Sequence, residues 1–574
     1  MNRRSRANGE RLAAAPFITP QARARAARGA AESRRLEWAG LPFLRSYERE
    51  RPRDRARPRH PVARTPVRRT AAALAALAVS ATVLTACDSF STTAPTAHEF
   101  VNELAIPPLA PSTEEGGVRT FDLTAETGTT AFPGIGESET WGFNGAFLGP
   151  TLRAERGEQV AFEIDNRLPE ATSVHWHGMH LPAAMDGGPH QMIEQGETWR
   201  PTWTIDQPAA TLWYHPHPHG ETEKHVYQGL AGMFILDDDA SLAADLPSEY
   251  GVDDLPMIVQ DKEFDRSGRL VLRNDGSEPG TLGDTIMVNG TVGAYREVTT
   301  ERVRLRLLNG STARTYTFAF DDDRAMTMVA SDGGFLDAPL EMQNLRLAPG
   351  ERAEVVVEFE PGETTRLRSV KTNLGGIVVP GTSGGNDEFD VMEFRADPSL
   401  APSPEPSWPQ AQDAVADELH EDEASVTRDF SLNTREINGL KMDMNRIDEV
   451  VHVGDTEIWE VRSTQPIPHS FHIHDVQFRV LSIDGEAPPP ELAGPKDTIY
   501  LNPNQTYRLL VRFEDYADPT MPYMYHCHML LHEDEGMMGQ FVVIEPGDEA
   551  AVGVPPMREH SDEEEDGHGG HLGH

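Results

Sequence analysis

Residues 526–537 read His-Cys-His-Met-Leu-Leu-His-Glu-Asp-Glu-Gly-Met. In an extended chain, alternate side chains point to opposite faces, so His526 and His528 face one way and Cys527 the other. The thiolate can then bind one metal while both imidazoles bind a second site, with two peptide units as a covalent path between them. A histidine five residues after the cysteine, a methionine ten residues after it and one further histidine complete the ligand set of a blue copper site.

Three further segments carry closely spaced histidines: H-W-H-G at 175–178, H-P-H at 215–217 and H-S-F-H-I-H at 469–474. Each lies in a strand-like context, where residues i and i+2 share a face and present two imidazoles side by side. Imidazole is the commonest ligand for copper, zinc and iron, so several facing pairs favour a multinuclear site. Zinc fits less well, because structural zinc prefers closed tetrahedral sets and this chain offers a surplus of imidazoles beside one thiol.

The sequence around these segments predicts an all-β protein. From about residue 100 onward, short alternating apolar runs are separated by Gly, Pro, Asn and Asp; examples are residues 159–164, 303–308, 354–359, 457–461 and 477–483. No stretch with helical periodicity of comparable strength competes with them. Sandwiches or barrels are the expected architectures.

The chain length of 574 residues indicates two to four domains. We predict β units at 100–240, 250–395 and 429–548, with a Pro-, Glu-, Ala- and Ser-rich linker at 396–428. The first and third units end in similar apolar segments, each after a histidine cluster, which suggests internal duplication. Residues 549–574 form an acidic tail that we interpret as solvated, with copper collection as the less favoured alternative for its histidines His560, His568, His571 and His574.

The N-terminal residues 1–87 read as an Arg-rich leader followed by an export signal. Arg68 and Arg69 precede a short apolar run at 71–84, and small residues follow up to Cys87. The run is too short to span a membrane, and the pattern is typical of a bacterial lipoprotein signal in which Cys87 is lipidated. A plain cleaved signal is the alternative. Either reading predicts an exported protein, periplasmic or extracellular, that touches the membrane only through a lipid on this cysteine.

The cysteine content bears on the role of Cys527 in an exported protein. The chain has only Cys87 and Cys527, so no disulfide framework is expected. A lone thiol in an oxidising compartment is a liability unless it has a function. Cys527 is therefore expected to be a working residue.

The charge distribution excludes one class of partner. The chain has 51 basic and 92 acidic residues, and residues 1–70 hold 19 and 6 of them. Because residues 71–87 are uncharged, residues 88–574 carry 32 basic and 86 acidic side chains, a net charge of −54. A body this acidic repels phosphate backbones, which argues against nucleic-acid binding.

The four histidine-rich segments, in this order and spacing, resemble the copper-binding motifs of the multicopper oxidases, the family of laccases, bilirubin oxidases and bacterial cuprous oxidases. The resemblance covers roughly residues 100–548. It is closest to the bacterial three-domain, cuprous-oxidase-like branch through H-W-H-G followed by D-G-G-P, W-Y-H-P-H-P-H-G and H-E-D-E-G-M-M. It implies three cupredoxin-like Greek-key β-barrel domains and four copper ions, one type 1, one type 2 and two type 3.

The resemblance carries the family's copper ligands onto this chain residue by residue. It implies a type 1 copper held by His469, Cys527, His532 and, axially, Met537. It implies a type 2 copper held by His175 and His472, and a type 3 pair held by His177, His215, His217, His474, His526 and His528. Every ligand position is filled. This counts against cell-division proteins of the same fold that have lost copper ligands, and against two-domain copper nitrite reductases.

Two acidic residues match the family's proton-handling carboxylates. Asp186 stands eleven residues after His175, and Glu533 follows His532. Reduction of dioxygen to water consumes protons, so a relay near the copper ions is needed. Cys527 is the expected electron-transfer residue between the type 1 site and the remaining copper ions. The resemblance thus predicts one-electron oxidation of a donor, through the exposed edge of a type 1 histidine, coupled to four-electron reduction of dioxygen to water.

The identity of the donor is open at this point. A laccase-like oxidase of phenols or aromatic amines needs only an open path to the type 1 site, and we favour this reading. A Cu(I) or other metal-ion oxidase for copper tolerance is the alternative, with Met442 and Met444 as possible ligands of the substrate metal. The cuprous-oxidase relatives carry an acidic residue and a Met where this chain has Gln465 and Ile467, and their Met-rich insert has no counterpart in 396–428. A copper-storing lipoprotein is a remote third reading, because storage needs no coupled sites.

Overall fold

The computed structural model describes residues 95–273, 279–376, 380–404 and 419–551. The predicted leader with Cys87, the middle of the predicted linker and nearly all of the predicted tail lie outside these residues. The described residues form almost only β-structure, and they make up six sheets. The all-β prediction is confirmed.

Two sheets enclose the first hydrophobic core, which is built from residues between Phe121 and Leu236. One sheet contains the strands Ser112–Glu115, Val118–Phe132, Gly136–Phe143, Gln159–Asn166, Thr198–Trp199 and Thr202–Thr204. The other, which we call the N-terminal histidine sheet, contains Leu152–Glu155, His175–His177, Ala210–His215 and Gly232–Asp237. Alternate residues of Gln159–Asn166 are buried, as expected for a strand with one face on a core.

A second pair of sheets surrounds the core formed mainly between Leu255 and Ala396. One contains Asp254–Lys262, Thr285–Val288, Thr291–Val292, Arg302–Asn309, Met326–Ser331, Gly334–Met342 and Arg352–Glu358. The other contains Asn102–Glu103, Ala294–Thr300, Tyr316–Phe320, Leu345–Leu347, Thr364–Ser369 and Phe389–Ala401.

The third pair of sheets encloses a core formed mainly between Phe430 and Val543. One sheet contains Ala424–Asn433, Glu436–Ile437, Thr456–Ser463, Phe478–Ile483 and Thr506–Arg512. The other, the C-terminal histidine sheet, contains Glu449–His452, His469–Ile473, Thr498–Leu501, Tyr523–Cys527 and Met538–Ile544. The strands that end at Ala401 and begin at Ala424 lie partly inside 396–428, so strand structure occupies both ends of the predicted linker.

Helices are short and few among the described residues. They are α1 (Thr222–Gln228), α2 (Asp239–Ala243) and α3 (Leu530–Asp534), with 3₁₀ turns at Ala183–Met185, Pro380–Ser383, Glu421–Glu423 and Pro490–Leu492. None of the described helices has the length and apolar character needed to cross a bilayer.

The two histidine sheets repeat one topology. In each, a parallel strand pairs with the last strand of the unit, which pairs antiparallel with a strand that ends in a histidine or cysteine. That strand pairs antiparallel with the strand that carries the first histidines, so His215 stands opposite His175 and His526 opposite His472. The shared order accords with the internal duplication suggested by the sequence, and it places four histidines on neighbouring strands.

Candidate metal centre

The first candidate site is the cysteine cluster, defined as His469, Cys527 and His532. The Cys527 Sγ atom lies 3.5 Å from the Nδ1 atoms of both histidines, and those two nitrogens lie 3.2 Å apart. Adjacent strands supply His469 and Cys527, and α3 supplies His532. Met537 is also buried. Its carbonyl oxygen accepts a hydrogen bond from the Cys527 N–H, which places its backbone beside the cluster.

The electrostatics of the cysteine cluster call for a cation. Burial raises the pKa of the Cys527 thiol to about 12, and burial lowers the pKa of His469 well below its ordinary value. A neutral imidazole offers a lone pair, but a thiolate this deeply buried is stable only beside a compensating positive charge. Two imidazole nitrogens and one sulfur around a common point are donors that suit copper. The residues therefore fit the blue copper site expected from the sequence.

The second candidate site is the eight-histidine cluster, in which every imidazole is at most 1% exposed: His175, His177, His215, His217, His472, His474, His526 and His528. The Nε2 atom of His526 lies 3.1 Å from that of His217 and 3.2 Å from that of His474. The His528 ring lies 4.9 Å from the ring of His177, centroid to centroid. The strands of the N-terminal histidine sheet and the residues just after them contribute half of the cluster, and those of the C-terminal histidine sheet contribute the other half, so the site forms only where the two sheets meet.

Hydrogen bonds at the outer ring nitrogens orient these imidazoles. Nδ1 of His175 lies 3.0 Å from the Asp186 carbonyl oxygen, and Nδ1 of His472 lies 2.8 Å from the Asp497 carbonyl oxygen. In His215 the same atom lies 2.8 Å from a backbone oxygen. A carbonyl oxygen only accepts, so each Nδ1 carries the proton and each Nε2 keeps its lone pair.

Several inner nitrogens of the cluster lack hydrogen-bond partners. The Nε2 atoms of His175, His215 and His472 are buried and make no hydrogen bond. Burial lowers the pKa of His215 and His472 well below the ordinary value, so these imidazoles stay neutral and their Nε2 lone pairs stay unprotonated. Converging buried lone pairs are costly unless a cation lies between them. The chemistry of the donors therefore fits bound metal ions.

Two carboxylates contact the cluster where the sequence predicts them. Asp186 Oδ2 accepts a hydrogen bond from His474 Nδ1 at 2.8 Å, and Oδ1 lies 3.4 Å from His175 Nδ1. Glu533 places one oxygen 3.3 Å from His217 Nδ1 and the other 3.2 Å from His526 Nδ1. Each carboxylate, 1% exposed, therefore joins two of the histidines.

Comparison with known proteins identifies the family. Three sequence profiles described as multicopper oxidase match residues 124–241, 266–367 and 411–547. The multicopper oxidase mco of Staphylococcus haemolyticus is 37% identical over 447 residues, which cover 77% of this chain and 92% of that protein. This chain belongs to the multicopper oxidase family.

Other relatives in the family carry different names. The cell division protein FtsP of Yersinia pestis is 37% identical over 450 residues, covering 77% of this chain and 92% of that protein. The crystal structure of a laccase from Pediococcus acidilactici superposes with a TM-score of 0.71 at 33% identity, covering 79% of this chain and 95% of that one. The six-sheet architecture thus matches the cupredoxin-like fold of multicopper oxidases, a family whose domains bind copper.

The structure brings together the histidines and the cysteine predicted as copper ligands, and it places the backbone of Met537 beside Cys527 and His532. The possible substrate ligands Met442 and Met444 are both partly buried, and the Met442 N–H donates to the carbonyl oxygen of Gly536, the residue before Met537. His180 lies close to His177 in sequence but belongs to neither cluster, and its Nδ1 bonds to Asp475 at 2.8 Å.

One expectation about the cysteine cluster is wrong. The sequence reading expected an exposed histidine edge, but His469 and His532 are both fully buried. The reason lies partly in residues 433–444, which pack against the end of α3. Arg435 of this segment pairs with Glu535, and Lys441 donates to the Glu535 carbonyl oxygen at 3.0 Å.

Sequence reasoning missed the residues that support the eight-histidine cluster from behind. Asp497 and Thr498 contact His177 and His472, and Arg352 contacts Asp497. The available signal was a charged Lys-Asp pair directly before an apolar strand, since charged groups at such a position need buried partners. Nothing in the sequence shows which partners they have.

Proposed function

We propose that the chain is a copper-dependent oxidase that couples one-electron oxidation of a donor at the cysteine cluster to four-electron reduction of dioxygen to water at the eight-histidine cluster. The observation that carries the proposal is the segment 526–528. Cys527 belongs to one cluster, and both of its neighbours belong to the other. A protein that only stored copper would have no need to join two buried sites through one residue.

The proposal assigns four copper ions. His469, Cys527, His532 and Met537 would hold the type 1 copper, and His175 and His472 the type 2 copper. The type 3 pair would be held by His177, His215, His217, His474, His526 and His528. The convergence of the His217, His474 and His526 Nε2 atoms supports one type 3 ion among these three residues. When bound, the copper ions would accept single electrons from the donor and pass four to dioxygen.

The protein's own groups orient the ligands and handle protons. Asp186 Oδ2 accepts a hydrogen bond from His474 Nδ1, and the carboxylate of Glu533 lies within 3.3 Å of Nδ1 of His217 and of His526. Water formation needs protons at the cluster, and these two buried carboxylates are the acids placed to deliver them. The burial of all eight imidazoles excludes bulk water and strengthens every charge interaction inside.

A phenol or an aromatic amine is the donor that we favour. The residues before His469 include Gln465 and Ile467 rather than an acidic residue and a methionine, which weakens the case for a Cu(I) site. The similarity to a laccase supports the same choice. Cu(I) is the second candidate, because the backbone of Met442 lies beside Gly536 at the edge of the cysteine cluster. The similarity to the cell division protein FtsP raises a non-catalytic role as an alternative. We do not favour it, because every copper-ligand position of the family is filled in this chain.

The substitution Cys527→Ser tests the coupling of the two clusters. We expect oxidase activity and the blue charge-transfer band to vanish, while the eight-histidine cluster still takes up copper. Copper content, visible absorption and oxygen uptake would be measured on the same samples. Retained turnover in this variant would sink the proposed mechanism.

Oxygen uptake with Cu(I) and with a methoxyphenol at matched concentrations separates the two donors. Faster uptake with the phenol supports the laccase-like reading and assigns Met442 and Met444 to packing. Faster uptake with Cu(I) supports a metal-ion oxidase and makes these two residues its candidate substrate ligands.

The site of action is part of the proposal. We place the mature protein outside the cytoplasm, held to a membrane by a lipid on Cys87. This rests on the signal-like sequence at 68–87. Mass spectrometry of the mature protein would find an N-terminal diacylglyceryl cysteine; an unmodified N-terminus elsewhere would contradict the anchor.

A further inference from the structure

A fully buried ionic network lies behind the eight-histidine cluster. Arg352 donates from Nη1 and Nη2 to the two carboxylate oxygens of Asp497, at 2.7 Å each, and both side chains are 0% exposed. Arg352 also donates from Nε to the Thr211 carbonyl oxygen at 3.0 Å and from Nη2 to the Asp332 carbonyl oxygen at 2.9 Å. Lys496 pairs with Asp332 at 2.8 Å.

This network joins all three pairs of sheets. Thr211 belongs to the N-terminal histidine sheet, Arg352 to the seven-stranded sheet, and Asp497 directly precedes a strand of the C-terminal histidine sheet. The seven-stranded sheet supplies no imidazole to the cluster. Arg352 is therefore one connection from the central part of the molecule to the site, beside the close approach of Gly350 to His528.

Asp497 and its neighbour Thr498 contact two histidines of the cluster. Asp497 Oδ1 lies 3.0 Å from His177 Nε2, and its carbonyl oxygen lies 2.8 Å from His472 Nδ1. The Thr498 hydroxyl lies 3.0 Å from His177 Nε2 and 3.1 Å from His472 Nδ1. One dipeptide thus faces the outer nitrogens of two imidazoles that stack at 3.7 Å between ring centroids.

His177 is held in the opposite orientation to its neighbours. In His175, His215 and His472 the outer, bonded nitrogen is Nδ1, whereas in His177 it is Nε2. The His177 Nδ1 atom is buried and has no hydrogen-bond partner. A carboxylate accepts but cannot donate, so Asp497 keeps the His177 proton on Nε2 and leaves the Nδ1 lone pair directed into the cluster.

The glycine of the H-W-H-G segment makes room for this arrangement. Gly178 has φ +84°, and a Cβ atom there would lie 2.5 Å from Asp497 Oδ2 and 2.7 Å from Arg352 Nη2. Both the backbone conformation and the close approach therefore require glycine. The segment that carries His177 is built to accept the ion pair directly behind it.

We propose that Arg352 and Asp497 form an interdomain clamp whose function is to position His177 and His472 for copper, with Thr498 as its second hydrogen-bonding group. The inference rests on the proposed copper oxidase function. Asp497 and Thr498 are positioning residues that act through the imidazoles, and Arg352 acts through Asp497.

The substitution Asp497→Asn tests the clamp in the full-length, copper-loaded protein. It keeps the size of the side chain and removes the charge that faces Arg352 and His177. We expect about 10- to 100-fold weaker copper binding at the eight-histidine cluster, as is typical when the partner of a ligating histidine is lost. Copper per chain and the type 2 EPR signal should fall, while the blue absorption of the cysteine cluster remains.

Asp254→Asn is the matched control. Asp254 forms an equally buried two-point pair with Arg306, at 2.7 Å and 3.0 Å, with side chains 0% and 2% exposed. This pair is bonded to no histidine of the cluster in the described structure. The control variant should lose stability comparably but keep wild-type copper content and EPR parameters.

Thr498→Val provides a second test that leaves the ion pair intact. It removes the hydroxyl that lies against His177 and His472 and that also donates to Asp497 Oδ1 at 2.8 Å, and we expect a changed type 2 EPR signal with normal blue absorption. Wild-type copper content and EPR parameters in both Asp497→Asn and Thr498→Val would overturn the clamp alone. A wild-type chain that binds no copper would overturn the proposed function and the clamp together.

Discussion

The cysteine cluster and the eight-histidine cluster both bring buried ligand side chains together, but the chain does this in a different way at each site. All three residues of the cysteine cluster come from one sheet and the helix after it, within 64 residues of sequence from His469 to His532. The eight-histidine cluster combines two sheets, with residues from His175 to His528, and is supported by an ion pair whose arginine comes from a third sheet. The first site depends on local chain geometry, whereas the second depends on how the units pack.

This difference has an energetic consequence. A cluster made within one sheet stays intact as long as that sheet is folded. A cluster made at an interface depends on every contact that fixes the interface, and here those contacts include buried charges. Removal of one member of a buried pair leaves an uncompensated charge, so damage behind the eight-histidine cluster should be large and specific.

The largest expected effect comes from Arg352→Met. It leaves Asp497 ionised and unpaired in the interior, which should destabilise the fold by about 3–5 kcal/mol. Copper at the eight-histidine cluster should fall more than the blue absorption does. Chemical denaturation and EPR of the loaded protein provide the measurements. Arg119→Met is the control, because its pair with Glu158 is 29% and 26% exposed and should be worth at most about 1 kcal/mol.

Glu533→Gln should affect turnover rather than folding. The variant keeps the shape of the side chain next to His217 and His526 but removes the acid group. We expect oxygen reduction to slow by about 100-fold or more, within the range for general acids and bases. Steady-state oxygen uptake and single-turnover reoxidation would be compared. Unchanged rates would remove Glu533 from the proton relay.

Lys262 tests the pH dependence of stability at the contact between α1 and the seven-stranded sheet. Its ammonium is buried beneath α1, donates to the Tyr227 carbonyl oxygen at 2.8 Å, and has its pKa lowered by burial to about 7. Between pH 7 and about 10.4 the unfolded chain therefore binds more protons at this residue than the folded chain does. Its contribution to stability rises with pH over that window, by about 1.4 kcal/mol per unit.

Denaturation of wild type and Lys262→Met at about pH 7 and pH 9 measures this contribution. Wild type should gain about 2–3 kcal/mol relative to the variant as the pH rises. The blue absorption of the folded, copper-loaded protein should be the same in wild type and variant, because Lys262 does not belong to the sheet of the cysteine cluster. An equal difference in stability at both pH values would contradict the assignment.

The smallest expected effect is that of Met537→Leu. This substitution should change the cysteine cluster and leave the eight-histidine cluster unaffected, the opposite of Arg352→Met. The two side chains are similar in volume, so stability should change by less than about 1.5 kcal/mol. Loss of the weak thioether donor disfavours the oxidised copper and should raise the type 1 potential. Spectroelectrochemistry measures the shift. A lowered type 2 EPR signal would mean that the two clusters are less separable than the structure indicates.

The contrast between the clusters also explains what the sequence could predict. His-x-His spacing and the Cys527 segment fix ligand identity because strand geometry decides which side chains share a face. The alternating runs likewise predict the strands. The Arg352–Asp497 pair spans 145 residues and leaves no periodic signal, so only the packed structure reveals it. The burial of His469 was missed for the same reason. The segments that cover it are distant in sequence and meet it only in the folded chain.

The central claim is that the two clusters act as one coupled unit. The most direct test measures donor oxidised, dioxygen consumed and hydrogen peroxide formed by the copper-loaded wild-type protein. We expect four one-electron donor molecules to be oxidised per dioxygen, with no free peroxide, and this activity to be lost in Cys527→Ser. Two donor molecules per dioxygen with accumulating peroxide, or the same stoichiometry in the variant, would contradict it.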